Sequence, residues 1–232
     1  MLLSYHFRRC FPHVVNIAVK GGLKALNLLL SDLDYLYALE SDVVAAARAI
    51  VVALRASGLR REDLSEVIRI GNLEKVWKDA HGKPVALPDV TLLRDVDTRW
   101  SSTFLMINRL LVLYEAVVHI LSSEKYITTL GHLALSEKQL EALDDIRKFL
   151  GALHLAQQLV SSQRTPTLCH VLPVYVKLIK TLSGVKSICP KISHGIQASI
   201  NKLKEYMGKA KKNRAYALAM STRVFFGVPG CA

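Results

Sequence analysis

The chain has 232 residues, 51% hydrophobic and 22% charged, with 31 Lys and Arg against 19 Asp and Glu and a net charge of +12. That length suffices for one large domain or two small ones, burying roughly 70% of the unfolded surface. The composition excludes a simple membrane protein, because no run of about 18 uncharged apolar residues exists, and it argues against a disulfide scaffold, because cysteine is limited to Cys10, Cys169, Cys189 and Cys231.

The opening Met1-Leu-Leu-Ser-Tyr-His-Phe-Arg-Arg9 lacks the apolar stretch and small-residue cleavage site of a signal peptide. An intracellular, reducing setting is expected, with neither membrane nor small-molecule substrate as a partner. The positive excess, with a pI near 9.6, favours anionic partners, of which nucleic acid is the commonest inside cells. The plainer alternative is a background charge without a specific site.

Residues 1–9 contain no acidic side chain, and the first carboxylate is Asp32. A helix is predicted from about His13 to Leu30, with Pro12 suited to its first turn and Gly21-Gly22 as a weak point. Ser41-Asp42 reads as the N-terminal cap of a second helix, Val43 to Ala56, with Gly58 as its stop. A third is expected from Glu62 to Lys78, with Leu64, Val67, Ile68 and Trp77 inward and Gly71 interrupting it. From His81 to Asp97, Gly82, Pro84 and Pro88 mark an irregular connection.

The clearest helix is Arg99 to Ser122. Its Trp100, Phe104, Ile107, Leu111, Tyr114, Val118 and Leu121 alternate steps of four and three, with Thr98 as the cap. Ser136-Glu-Lys-Gln139 matches a capping box and opens a helix to about Ser161 with Leu143, Ile146, Leu150 and Leu153 as its apolar stripe. Thr165-Pro166 restarts a helix that Pro173 delays or bends. A last helix, Lys191 to Lys212, turns Ile196, Ile200, Leu203 and Met207 inward. The fold class predicted is all-α, a bundle of six or seven helices.

Few groups suggest chemistry. Cys10-x-x-His13 has half of a zinc spacing, and Cys169-His170 or Cys189 with His194 would have to complete it. A buried cysteine with a capping or core histidine is the simpler reading. Cys10 as a nucleophile lacks a nearby carboxylate to orient His13. Asp95 and Asp97 lie two apart on an extended segment and either share a metal or cap the next helix. Trp100 is the first member of a buried stripe or, with Arg99, an aromatic platform for an unstacked base. Lys202, Lys204, Lys209, Lys211, Lys212 and Arg214 form either a solvated helix face or a footprint for DNA.

Two motifs in order carry a resemblance. Cys-Phe-Pro-His-Val-Val-Asn-Ile-Ala-Val-Lys at 10–20, followed by Asp-Thr-Arg-Trp-Ser-Ser-Thr-Phe at 97–104, resembles the hAT superfamily of cut-and-paste DNA transposases. Thr165-Pro166-Thr167 with Val171-Leu-Pro-x-Tyr175 is similar to its fungal members. The resemblance implies a ribonuclease-H-like core interrupted by a helical insertion domain, with two Asp and one Glu holding divalent metal. Cys10, His13, Asn16 and Asp97 fall in the family's motifs, and Arg99 and Trp100 match a pair that handles a flipped base at hairpin ends. It further implies DNA, at hairpin or transposon ends, and other transposase chains as partners, in the nucleus.

The family's two Asp precede the Cys-x-x-His motif and its Glu follows the helical domain. Here no acid precedes Cys10 and none follows Glu205. The expectation is therefore a truncated, catalytically inactive fragment with no metal or other cofactor and with residual DNA binding, its catalytic sheet mostly missing. Residues 1–31 would be the core remnant, 32–220 the helical insertion domain and 221–232 a divergent tail. Alternatives are a helical protein-interaction module and a pseudogene product that does not fold.

Overall fold

The computed structural model describes residues 11–26, 33–78, 81–96, 100–160 and 168–212. Among them lie ten α-helices, three short 3-10 turns and a single isolated bridge between Lys78 and Pro84. The all-α class holds. The helix number exceeds the six or seven expected, because an additional short helix precedes Ser41, another follows Tyr126, and the helix predicted from Arg99 to Ser122 is broken in two. No single helix among the described residues is long and apolar enough to cross a membrane.

The chain divides into two compact units. The predicted limits at 31/32 and 220/221 concern descent, whereas this division concerns packing. The middle unit is residues 30–147, and the terminal unit joins residues 1–29 to 148–232.

The middle unit holds α2 (Leu33–Glu40), α3 (Val43–Leu54), α4 (Gly58–Leu73), α5 (Trp100–Val112), α6 (Tyr114–Leu121) and α7 (Ile127–Leu130). It also holds the start of α8 (Glu137–Val160). Helix α3 is Ala/Val-rich and packs against α2, α4 and α5. Asp42 caps it as predicted, its Oδ1 accepting from the Ala45 N–H at 3.0 Å. Gly58 does not stop α3. It is the first residue of α4, whose cap is Ser57, accepting from the Arg60 N–H at 3.2 Å.

Gly71 likewise does not interrupt α4. A Cβ there would lie 2.1 Å from Trp77 Cζ2, so the glycine makes room for a buried indole folded back from beyond the helix end. The predicted continuation to Lys78 is therefore a return of the chain, with Val85 N–H bonding to Trp77 O at 3.0 Å.

The expected straight helix from Arg99 to Ser122 is bent by 70° between α5 and α6. Leu113 sits at the break with φ −100° and ψ 6° and is fully buried. Directly after it, the buried Tyr114 hydroxyl accepts from Leu135 N–H at 2.8 Å and donates to Leu135 O at 3.2 Å. Burial pushes that phenol's pKa up. The buried set is Trp100, Met106, Ile107 and Leu110, then Leu113, Tyr114, Ala116, Val117, Ile120 and Leu121. Phe104, Leu111 and Val118 of the predicted stripe are only half-buried, because one straight face no longer exists.

Helix α8 matches its prediction closely. Gln139 N–H donates to Ser136 Oγ at 3.2 Å while Ser136 N–H donates to Gln139 Oε1 at 2.9 Å, satisfying two donors reciprocally. Leu143, Ile146, Leu150 and Leu153 are all buried.

The terminal unit contains α1 (Phe11–Lys24), the rest of α8, α9 (Val171–Ile188) and α10 (Ser193–Lys211). Helix α10 packs against both α1 and α9. Pro173 lies in the first turn of α9, where its missing N–H costs little. Thr165 and Pro166 lie outside the described residues.

The predicted weak point at Gly21-Gly22 has a different meaning. A Cβ on Gly22 would lie 2.2 Å from Ser199 Oγ and 2.8 Å from Phe149 Cζ, and one on Gly195 would lie 2.8 Å from Gly22 O. Helices α1 and α10 therefore cross backbone to backbone. The buried Ser199 hydroxyl donates to Ala18 O at 2.7 Å across that crossing, and His194 Nε2 lies 3.0 Å from Leu26 O. Ile196, Ile200 and Leu203 face the core as expected, while Met207 is half-exposed.

Candidate nucleic-acid interface

The sequence pointed to two places for nucleic acid: the entry to α5 and the lysines of α10. They lie in different units.

At the entry to α5, Arg99, Asp97 and Thr98 lie outside the described residues. Trp100 retains only 9% of its surface exposed. In this arrangement the ring is packed in the core, as the stripe reading expects of it. Burial of the first stripe position, which periodicity alone already gave, is what the packing satisfies.

Asp95 is engaged as well. Its carboxylate accepts two hydrogen bonds from Arg48 Nε at 3.0 Å and one from Arg48 Nη2 at 2.7 Å, with 5% of its side chain exposed. Thr103 Oγ1 donates to the same group at 3.4 Å. A fork-to-fork guanidinium pair occupies the oxygens that a metal would need. Ser102 Oγ accepts from Val96 N–H at 2.8 Å, and Arg109 donates to Thr91 O at 2.8 Å. These bonds tie residues 91–96 onto α5. A small cleft of about 190 Å³ lined by Arg48, Val51, Val52, Arg94, Asp95 and Met106 remains beside the pair.

The other zinc candidates do not converge. Cys10 lies outside the described residues, His13 is exposed on α1, and His194 is turned to a backbone carbonyl. Cys189 is buried at the end of α9. Among the described residues no group of three His, Cys, Asp or Glu side chains is placed to hold a metal ion. Asn16 is half-buried, its Oδ1 without a hydrogen-bond partner. Burial lowers the pKa of His154.

The lysines of α10 behave in two ways. Lys202 Nζ and Lys209 Nζ both bond to Glu205, at 2.8 and 2.5 Å. Lys209 also lies over the Tyr206 ring, 4.7 Å from its centroid. Those two ammonium groups hold the Glu205 carboxyl well below its usual value, at about 2. Lys204, Lys211 and Lys212 are exposed and have no acidic partner among the described residues. Arg214 lies outside the described residues.

The sequence reading missed further exposed lysines of the same unit. Lys20 and Lys24 on α1 and Lys177 and Lys180 on α9 are all exposed. Their signal was present as the lack of any acid before Asp32 and between Asp145 and Glu205. What it lacked was the knowledge that α1 packs into one unit with α10, nearly two hundred residues away in sequence. With that division, the terminal unit holds seventeen Lys and Arg and one acidic residue, Glu205, a net charge of +16. The middle unit holds fourteen against eighteen, a net −4. The excess of the whole chain resides in one unit.

The family model of the ZBED1 RNase-like helical domain matches residues 8–149, well over half of the chain. The chain belongs to that family. The ZBED1-type domain is hAT-related and transposase-like, which agrees with the resemblance read from residues 10–20 and 97–104. The chain is also 24% identical over 199 residues to the human Zinc finger BED domain-containing protein 4, a match covering 86% of this chain and 14% of that protein. It thus spans about a seventh of that relative's length. No solved structure matches. The matched ZBED1-type region runs from just before α1 into the first half of α8, and the strongly basic α9 and α10 lie beyond it.

Proposed function

We propose that this chain is a DNA-binding, non-catalytic helical segment of a hAT-type transposase of the fungal kind, working in the nucleus as part of a longer ancestral protein. The observation that carries the reading is the partition of charge, +16 in the terminal unit against −4 in the middle unit. A unit with one carboxylate cannot neutralise its own cations, so it gains from a polyanion that releases counterions on binding.

The absence of cleavage is proposed from the sequence. The family's metal-binding carboxylates are expected before Cys10 and after the helical domain, where this chain carries none. Residues 1–9 and 206–232 thus supply no Asp or Glu to a clamp of the kind that stabilises the attacking and leaving oxygens of phosphoryl transfer. Incubation of the full chain with labelled hairpin-ended DNA and Mg²⁺ or Mn²⁺ is expected to give retention and no strand cleavage. Metal-dependent cutting by the purified chain would sink the non-catalytic part. Absence of any salt-sensitive retention would sink the DNA-binding part and favour a protein-interaction module.

A further inference from the structure

We infer that the terminal unit grips duplex DNA by its phosphates alone, through exposed lysines of α9 and α10, without reading or stacking on bases. This rests on the DNA-binding reading above and specifies its surface and mode.

The first observation is where lysines stand without competition. Lys177 and Lys180 are three apart on α9, and Lys204, Lys211 and Lys212 follow helical spacing on α10. All five are exposed. Residues three, four or seven apart share a helix face, so each helix presents a cationic strip.

The second observation concerns what lies between the lysines. On α9 the exposed neighbours include the small Thr181, Ser183, Gly184 and Ser187, together with the apolar Val176 and Ile188. Their hydroxyls donate back to the helix, Thr181 to Lys177 O at 3.0 Å and Ser183 to Ile179 O at 2.9 Å. With those hydroxyls turned back to the helix and the other exposed side chains apolar, the lysines are the available donors of this face. A long ammonium on such a face reaches a phosphate as a point charge and carries no base information.

The third is that the described residues of the unit offer no exposed Phe, Tyr or Trp ring for stacking. Among the described residues of the terminal unit, Phe11, Phe149 and Tyr175 are buried, and Tyr206 is half-buried beneath Lys209. Single-strand binders depend on exposed aromatic rings for successive bases. Here no described ring of the unit is exposed, so the rigid, evenly charged backbone of a duplex is the matching ligand.

Glu205 tunes this grip. As the single acidic side chain of the unit's sequence it pairs with the partly exposed Lys202 and Lys209, so its neutralisation adds one positive charge and frees two cations from that pairing.

The test is fluorescence anisotropy of the full chain with two duplexes of unrelated sequence and with a single strand of equal length, across a salt series. Five neutralised phosphates predict a log–log salt slope near −4.5, about a 500-fold loss of affinity between 50 and 200 mM. The two duplexes should bind within about threefold of each other and tighter than the single strand. K177E/K180E and K211E/K212E should each weaken binding at least tenfold and flatten the slope by about two. Glu205→Gln should tighten it several-fold at low salt. Trp100→Phe, which keeps the core filled, should leave affinity unchanged. Far-ultraviolet circular dichroism with an unchanged thermal transition establishes that the lysine variants fold.

If the wild-type chain binds no DNA, both this inference and the function above fall. If it binds, but prefers the single strand, depends on Trp100 or ignores both lysine pairs, the inference alone is overturned and DNA binding stands.

Discussion

The two units of this chain solve the same problem, fixing short helices in place, with different chemistry. The middle unit uses polar pairs. Arg48 grips Asp95, Lys125 and the Tyr126 hydroxyl both meet Asp63 at 2.5 Å, and the buried Tyr35 hydroxyl donates to Asp145 at 3.0 Å. Several of its cations are matched locally by carboxylates, while others, such as Arg60 and Arg109, bond to backbone carbonyls. The terminal unit has one carboxylate and so cannot be pinned this way. It relies on a glycine-to-glycine helix crossing, on apolar packing and on bonds to backbone carbonyls such as Ser199 to Ala18. The consequence is that its lysines stay available. Tertiary restraint by close packing, rather than by ion pairs, is what leaves a folded unit strongly cationic.

The sharpest way to break that contrast is at the crossing. Gly22→Val places side-chain atoms where Ser199, Phe149 and the Gly195 carbonyl already are, and is expected to cost about 3 kcal/mol or more. Gly21→Ala, one residue away with nothing within 4 Å of its Cβ position, should be stabilising by about 0.5–1 kcal/mol. Urea denaturation of both variants checks this. Equal effects would show that the crossing is not tight.

The corresponding break in the middle unit is Arg48→Ala, which leaves the nearly buried Asp95 carboxylate without its guanidinium. Because Arg48 is itself about a third exposed, the expected cost is roughly 1–3 kcal/mol, below that of a fully buried pair. The double variant with Asp95→Ala should recover part of it in a thermodynamic cycle.

Smaller still is Ser136→Ala, which removes one half of the capping box and should cost about 1 kcal/mol. Loss of helicity confined to the start of α8, seen as faster amide exchange at Gln139, would localise the effect.

The smallest effect on stability is expected at Glu205. Its pKa is depressed from 4.5 to about 2 by Lys202 and then Lys209. A depressed carboxyl stabilises the fold above its unfolded pKa and loses that contribution as pH falls from 4.5 towards 2. On so exposed a helix, Glu205→Gln should scarcely move the midpoint at neutral pH while removing this acid-range slope, which unfolding at graded pH would reveal. A slope unchanged by the substitution would place the acid sensitivity elsewhere, at Asp63 for example, whose carboxyl Lys125 and Tyr126 also hold below the usual range.

Much of the candidate site was legible as residue content and little of it as geometry. The lysines of α10 were visible as a run, and the acid-free stretches at either end of the chain were visible as absences. Trp100 was legible as a stripe residue, and its burial at 9% exposure favours that reading over a base platform. That Lys202 and Lys209 share Glu205 follows from their spacings of three and four, although the sequence does not say which lysine spends its charge locally.

By itself the sequence determined what depends on near neighbours. Apolar spacing set the helical class and the buried stripe of α8, Ser136 and Gln139 set its start, Asp42 set the start of α3, and the motifs at 10–20 and 97–104 set the kinship. These are interactions within one or two turns, and their free energy is decided by residues a few positions apart. Tertiary structure alone decided the 70° break at Leu113, which no glycine or proline announces. It also decided that Gly58 begins a helix, that Gly71 receives Trp77 and Gly22 receives a second helix, and that α1 joins α10 in one unit rich in lysine. A glycine reads the same whether it breaks a helix or admits a neighbour. Only the atoms that arrive from elsewhere in the chain distinguish the two.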